Sequence, residues 1–335
     1  MISVLIPCFN VEKTIERTLD SLLKTSFSDF EIVLVDDGST DKTLERIEAF
    51  QRERKVPSLR LLRKSNGGVV SAIAMAVKEA KGDYLLCLDA DDYVDPDYLS
   101  HLAKEIDSYD VLAFGHKKVT PEGKLLVTMT DTPKIYEGDD MKDLLSRLYF
   151  DDHSFSAFQH VQIYRWSYLA KADLVRAILP VYERMDLTLY EDLVYTLSVL
   201  AKSKSVKIID YAGLNYVQYP FSHSRGHQDS YEALLLLRKK LRAFLDSYAE
   251  ENHLERDIFS TMEFDVSKFF FSRYCLRHDR KESRAFFGKL KADRIYQEEK
   301  KKVSLKGESR MRKIYFLLLK CDLFFPVYLY FRHAG

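Results

Sequence analysis

Over its first hundred residues the chain alternates short runs rich in β-branched and other apolar residues with stretches of helix length. That alternation restricts the fold to a parallel sheet built from βαβ units. The strand-like runs fall at residues 2–6, 30–35, 59–62, 84–88 and 111–114, and the stretches 11–24, 40–54, 68–80 and 96–107 between them read as amphipathic helices. Right-handed crossovers bring the C-terminal ends of such strands to one edge, so residues 7–10, 36–39 and 89–92 are predicted to converge on a single cleft. Residues 117–138 read as short extended runs with turn signals at Pro121-Glu122-Gly123 and Gly138-Asp139, an insertion beside the core, followed by a helix over 139–150.

Carboxylates gather at that edge. Asp89-Ala90-Asp91-Asp92 follows the apolar run Tyr84-Leu85-Leu86-Cys87-Leu88, where an α/β sheet places its ligand chemistry. Packed anions repel unless solvated or bound to a cation, and oxygen ligands suit a hard divalent ion such as Mg²⁺ or Mn²⁺. The competing reading is an acidic turn that caps the helix beginning near Pro96, with Asp95 as N-cap. A second acidic pair, Asp36-Asp37, also follows a buried strand, and a carboxylate there can accept the imide N–H of uracil or thymine. Asp36, Ser39 and Asp41 can equally cap the next helix. Asn66-Gly67-Gly68 follows the third strand and opens a helix, so its backbone can approach a ligand closely and the helix N-terminus favours an anion.

The 335 residues carry a formal net charge of zero, which suits one large domain or two smaller ones and argues against a simple nucleic-acid binder. The balance hides an asymmetry. Residues up to 227 hold 28 Lys+Arg against 35 Asp+Glu, and the remainder 23 against 16. Cys8, Cys87, Cys275 and Cys321 show neither metal-ligand nor disulfide spacing, which fits a reducing cytoplasm. The chain starts directly on the strand-like run 2–6, so no secretory signal is expected.

Taken in order, Ser3-Val-Leu-Ile-Pro-Cys-Phe-Asn10, Val35-Asp-Asp-Gly-Ser-Thr-Asp41, Asn66-Gly67-Gly68, Gly82-Asp83-Tyr84, Leu88-Asp-Ala-Asp-Asp92 and Tyr190-Glu-Asp-Leu193 resemble the motifs of the family 2 glycosyltransferases over roughly residues 1–225. The resemblance implies a GT-A fold, a Rossmann-like and mostly parallel sheet flanked by helices. It also implies metal-dependent, inverting transfer of a sugar from a nucleotide-diphosphate donor, by expectation a UDP-sugar. Carried over by position, Phe9 would lie against the nucleobase, Asp37 would hydrogen-bond it, Pro7 would be among the donor-binding residues, and Asn66 and Gly67 would approach the donor. Asp89 would sit near the ribose and the metal's water shell, and Asp91 would ligate the Mn²⁺ or Mg²⁺. Asp92 either assists or caps the following turn. The chain departs from the family where an Arg-Asn or Leu-Asn pair is usual, reading Ser71-Ala72-Ile73-Ala74-Met75 instead. His223, Ser224 and Arg225, after the strand-like pair 206–209 and 214–219, are then candidate cations and donors for the diphosphate.

Inverting transfer needs a general base for the acceptor hydroxyl. Glu191-Asp192 opens a helix whose residues Leu193, Val194, Leu197, Leu200 and Ala201 face inward, and adjacent helical residues point about 100° apart, so the two carboxylates divide their roles. The resemblance makes Asp192 the base and Glu191 its support or an acceptor contact. The positive end of the helix dipole favours both without any chemistry. His160, Gln162 and Trp166 are candidate acceptor contacts, Trp166 as an aromatic platform. The alternatives are a core tryptophan and a satisfied buried imidazole at His160.

Beyond residue 227 the pattern becomes long-period helix over 231–250, 253–277 and 280–300, which divides the chain into a domain at 1–227 and a helical domain at 228–335. The aromatic and cationic run 268–278 reads as core with solvated cations, not a nucleic-acid site. Cations at 300–302 and 310–313 precede an aromatic stretch interrupted by Lys320, Asp322 and Pro326, which is unsuited to spanning a bilayer but suits an anionic membrane surface along 310–332. Docking of that helix on its own domain, or across a homo-oligomer, is the alternative. The expected partners are thus a nucleotide-sugar donor, a cell-surface glycan or lipid-linked acceptor, and the inner face of the plasma membrane. A noncatalytic nucleotide-sugar sensor would bind donor without turnover. A nucleotidyltransferase would release a nucleoside monophosphate.

Overall fold

A computed structural model describes residues 1–147 except 55 and 57, 164–219 except 186 and 188, 230–303 and 310–333. Its described residues form two units, one from 1–147 and 164–219 and the other from 230 onward.

In the first unit, β1 (Ile2–Cys8), β2 (Phe30–Asp36), β3 (Leu59–Arg63) and β4 (Tyr84–Cys87) lie parallel in the order β3-β2-β1-β4. Val4, Leu5, Ile6, Ile32, Val33 and Leu34 are fully buried, because helices cover such a sheet and leave no wet face. This is why these strands read as continuous apolar runs. The crossovers are α1 (Ile15–Leu23), α2 (Thr43–Arg54) and α3 (Gly68–Glu79), and α4 (Tyr98–Ile106) follows β4. Cys8 pairs with Asp36 and Asp36 with Arg63, so the predicted loops leave the sheet side by side.

The sheet then widens. β6 (Val111–Ala113), β9 (Lys134–Glu137), β10 (Tyr168–Lys171) and β11 (Ser205–Ile208) complete eight strands in the order β3-β2-β1-β4-β10-β6-β11-β9. β10 runs antiparallel between β4 and β6. A second sheet has the order β5-β12-β7-β8, from β5 (Tyr93–Val94), β7 (His116–Val119), β8 (Leu125–Met129) and β12 (Leu214–Val217). Residues 117–138 are therefore no mere insertion, since they supply two strands to this sheet and an edge strand to the large one. The strand-like pair 206–209 and 214–219 splits in the same way between the two sheets. Asp95 is not the cap of α4. Asp97 holds the N-cap position, while Asp95 accepts from Lys117 at 2.5 Å and Asn215 at 2.9 Å and so ties β12 and β7 to the turn after β5. Helices α5 (Asp140–Arg147), α6 (Ala172–Arg184) and α7 (Glu191–Lys202) finish this unit.

The second unit is helical: α8 (Tyr231–Glu251), α9 (Ser260–Arg277), α10 (Arg280–Ala292), α11 (Arg294–Lys302), α12 (Arg310–Lys320) and α13 (Phe324–His333). The single helix expected over 280–300 is two, because Asp293 leaves helical geometry and its carboxylate caps α11 by accepting from Tyr296 N–H at 2.7 Å. The tail also breaks, at Asp322, whose φ of +55° is left-handed. One face of this pair packs on α9, with Phe316 stacked on Phe264 and Phe331 edge-on to Phe271. Phe270 and Phe271 are buried, as expected of core residues. Ile314, Leu317, Phe325 and Leu329 remain exposed.

Candidate functional site

The loops at the strand ends of the first unit are latched to one another. Asn10, at φ +54°, donates its N–H to Ser39 Oγ and accepts Thr40 N–H at 2.8 Å, while Asp41 accepts the N–H groups of Glu12 and Thr43. Ser39 and Asp41 thus act as caps and latches, and Asp36 accepts Ser39 N–H at 3.3 Å. Asp37 does different work. Oδ1 accepts from Gly67 N–H at 2.9 Å and from Lys64 Nζ at 2.5 Å, and Oδ2 from Gly68 N–H at 2.7 Å, so this buried carboxylate clamps the Asn66-Gly67-Gly68 turn across the cleft floor. Much of its accepting capacity is spent inside the protein, and a nucleobase N–H would meet the remaining lone pair of Oδ2. Gly38 has φ +75°, and a Cβ there would stand 2.8 Å from Asn66 N, so the two loops approach this closely only with glycine. Pro7 and Phe9 are partly exposed at the same edge. Ala72, Ile73 and Ala74, standing where the family has a polar pair, are buried in α3.

Asp89 to Asp92 form the turn between β4 and β5, closed by Asp92 N–H on Asp89 C=O at 3.1 Å. Asp92 is fully buried, and its Oδ1 accepts Val217 N–H at 2.8 Å while Oδ2 has no partner among the described residues. Burial drives its carboxyl pKa well up, and with it goes any role as an exposed ligand. The arrangement is that of a brace between the turn and β12. Arg17, which no motif singled out, donates to the Asp91 carbonyl at 2.6 Å and to Tyr219 Oη at 2.9 Å, with its guanidinium over the Tyr93 ring. Asp91 itself makes no ion pair among the described residues. Burial, and then the like charge of Asp89, push its carboxyl up to about 6. No cluster of three His, Cys, Asp or Glu among the described residues could enclose a metal. Two adjacent carboxylates that repel one another do fit a Mg²⁺ or Mn²⁺ that completes its shell with phosphate oxygens and water.

Opposite Asp89 stands a second residue that sequence reasoning missed. Arg165, 4 % exposed, gives Nη2 to Asp89 Oδ1 at 2.5 Å and Nη1 to Asp192 Oδ1 at 2.5 Å and Glu191 Oε1 at 3.2 Å. Its backbone N–H also reaches Asp192 Oδ1, at 3.3 Å. Glu191 and Asp192 form the first turn of α7 behind Tyr190, which caps it at φ +64°, a conformation bulky residues rarely adopt. Burial raises the pKa of both carboxyls, Glu191 further by the charge of Asp192, against the opposing pull of Arg165. Among the candidates, Asp89, Glu191 and Asp192 therefore gather around one cation, with Asp91 two residues from Asp89 in the same turn, and among the described residues no hydrogen bond reaches Asp192 Oδ2. Trp166 does not join them. At 2 % exposed, stacked on Tyr164 and packed edge-on by His116, it is core, and no sugar can reach its face. His160, Gln162, His223 and Arg225 lie outside the described residues.

A wide, mostly parallel sheet with flanking helices and acidic turns at one strand edge is a fold of GT-A type, and comparison bears the fold out. Residues 3–165 match the family described as Glycosyl transferase family 2, and that segment is a domain of this family. Among curated relatives it is 28% identical over 225 residues to the uncharacterized glycosyltransferase EpsJ of Bacillus subtilis, covering 66% of this chain and 62% of that one. It is 28% identical over 280 residues to the poly(ribitol-phosphate) beta-N-acetylglucosaminyltransferase TarS of Staphylococcus aureus, covering 81% and 44%, and 36% identical over 137 residues to the chondroitin synthase of Pasteurella multocida, covering 40% and 14%. The chain thus spans less than two thirds of the length of these relatives. A crystal structure of S. aureus TarS 1-349 in complex with UDP-GlcNAc shares the fold, with a TM-score of 0.64 at 20% identity over 99% of this chain and 90% of that one.

Proposed function

We propose that the chain is an inverting glycosyltransferase that moves a sugar from a UDP-sugar to a hydroxyl of a cell-surface glycan or lipid-linked acceptor. The observation that carries the reading is the meeting of Asp89 and Asp91, from the turn after β4, with Asp192, from α7, in one acidic cleft. The names of two relatives support it, a poly(ribitol-phosphate) beta-N-acetylglucosaminyltransferase and a chondroitin synthase, and so does the TarS structure in complex with UDP-GlcNAc. Pro7, Phe9 and Asp37 hold the nucleobase, Asn66 and Gly67 approach the diphosphate, and His223 and Arg225 supply positive charge to it. Asp89 and Asp91 would hold a Mn²⁺ or Mg²⁺, whose charge stabilises the leaving diphosphate. Asp192 Oδ2 takes the acceptor's proton as its oxygen bonds the anomeric carbon, while the glycosidic C–O bond breaks on the opposite face and its electron pair leaves with UDP. Glu191 supports that carboxylate, and His160 and Gln162 contact the acceptor.

The test is metal-dependent release of UDP across a panel of UDP-sugars. Asp91→Ala should weaken metal-assisted UDP binding by about 10–100-fold, read by calorimetry with and without Mn²⁺. Equal binding with and without the ion, or UMP as product, would exclude this chemistry in favour of a metal-free or nucleotidyl-transferring site.

The 1–227 domain carries this chemistry, and the 228–335 domain attaches it peripherally to the inner membrane face. No helix among the described residues is long and apolar enough to cross a membrane. The exposed Ile314, Leu317, Phe325 and Leu329, near Lys313 and Arg280, support attachment to anionic lipid. Removing the tail would strip Phe316 and Phe331 from the core, so the informative variant is Leu317→Glu with Phe325→Glu. It should stay folded yet lose flotation on phosphatidylglycerol liposomes. Unchanged flotation would rule this face out.

A further inference from the structure

Arg165 belongs to no motif in the sequence and stands 76 residues from Asp89 and 27 from Asp192. The fold brings them together because β10 runs antiparallel beside β4, with Leu169 opposite Leu86, so the residues before Tyr168 lie alongside those that follow Cys87. One nearly buried guanidinium then faces three carboxylates that are themselves only partly exposed. Such a surplus of buried negative charge costs stability, and an apolar replacement of the cluster would often be no less stable, so the arrangement points to use.

Building on the proposed reading of Asp192 as base, we propose that Arg165 is a positioning residue of the transfer reaction. Its guanidinium and backbone N–H fix one oxygen of Asp192, and among the described residues nothing bonds the other, while its second terminal nitrogen ties that base to Asp89 on the donor side. A fixed oxygen matters because the acceptor must be deprotonated along its line of attack, and misplacement by about 1 Å can cost about 100-fold in rate. The planar fork of arginine spans carboxylates on two sides at once, whereas a lysine ammonium offers a point charge. The residue touches neither sugar nor nucleotide in this scheme and acts through Asp192.

The experiment compares Arg165→Lys in the parent chain and in the Asp192→Asn background, using the UDP-sugar that the parent turns over fastest and following UDP release. In the parent, kcat should fall about 10–100-fold with donor KM nearly unchanged. In the Asp192→Asn background the same substitution should leave the residual rate unchanged, because the base it serves is gone. Equal fractional losses in both backgrounds, or a loss carried by donor KM, would overturn the proposal and leave Arg165 a structural or donor-binding cation. As a second measurement that tolerates weaker folding, Arg165→Ala with added methylguanidinium should regain turnover in the parent and gain nothing with Asp192→Asn. Rescue in both backgrounds would likewise overturn it. Failure of the parent to release UDP from any UDP-sugar, or full activity of Asp192→Asn alone, would instead count against the proposed function.

Discussion

Asp192→Asn should lower kcat for UDP release by about 1,000-fold, within the range for loss of a general base, while UDP binds as tightly as to the parent. Asparagine keeps the size of the side chain and an oxygen that can accept from Arg165 N–H and Nη1, so the turn at the head of α7 is preserved. It cannot take a proton. A 1,000-fold loss corresponds to about 4 kcal/mol of transition-state stabilisation, and its confinement to kcat is what marks an interaction made in the transition state alone. Calorimetric titration with UDP, set beside steady-state rates, separates the two quantities.

The same substitution should not destabilise the chain, and the sign follows from the charges. Burial raises the folded-state pKa of Asp192 and Glu191, so across the window above their ordinary values the folded protein holds protons that the unfolded chain has released. Stability from this pair is therefore present at low pH and lost as pH rises through the folded values. Catalysis has the opposite slope, because the base must be ionised to accept a proton, and the rate should climb over the window in which stability falls. Asp192→Asn removes one of the opposed charges and should melt at or above the parent temperature at pH 8. A melting point several degrees lower would mean that the carboxylate is structural.

Much of the first unit was legible because parallel strands buried on both faces leave continuous apolar runs, and because acidic and glycine-rich turns mark where those runs end. β1 to β4, α1 to α4 and the three converging loops follow from that logic alone. β10 and α6 escaped it. Tyr168–Lys171 is four residues long and its place between β4 and β6 is fixed by non-local pairing, for which a sequence window carries no signal. Arg165 escaped with it, since nothing in Tyr164-Arg165-Trp166 announces a partner 76 residues away. Trp166 was open to two readings, and only burial against Tyr164 and His116 chose the core. Asp37 was read by its capacity to accept a hydrogen bond, and the structure adds that two backbone N–H groups and Lys64 already claim most of it. In the helical unit, periodicity found the helices, but breaks such as Asp293 and Asp322 depend on single polar residues that an averaging window smooths away.

Arg238 carries the second large effect, on stability. It lies on α8, 4 % exposed, and pairs with Asp293 at 3.2 Å and Glu299 at 2.9 Å, joining α8 to the head and the end of α11. Burial lifts the Glu299 carboxyl to about 7 even with Arg238 pulling it down. Arg238→Ala takes the ion-pair partner from two carboxylates in the interior of the helical unit, and breaking such a pair costs about 3–5 kcal/mol. For a domain of about 100 residues each kcal/mol moves the midpoint by about 4–8 °C, so the transition of this unit should fall by at least about 12 °C at pH 8. The size of the loss depends on pH. With the arginine gone, Glu299 holds its proton to still higher pH, and at pH 5 it is neutral in the folded variant. The gap between variant and parent should thus narrow markedly at pH 5, and Glu299→Gln added to Arg238→Ala should recover part of the loss at pH 8 and little at pH 5. Thermal melts followed by circular dichroism at the two pH values decide it. A gap of equal size at both would assign the loss to missing packing by the arginine stem, not to stranded charge.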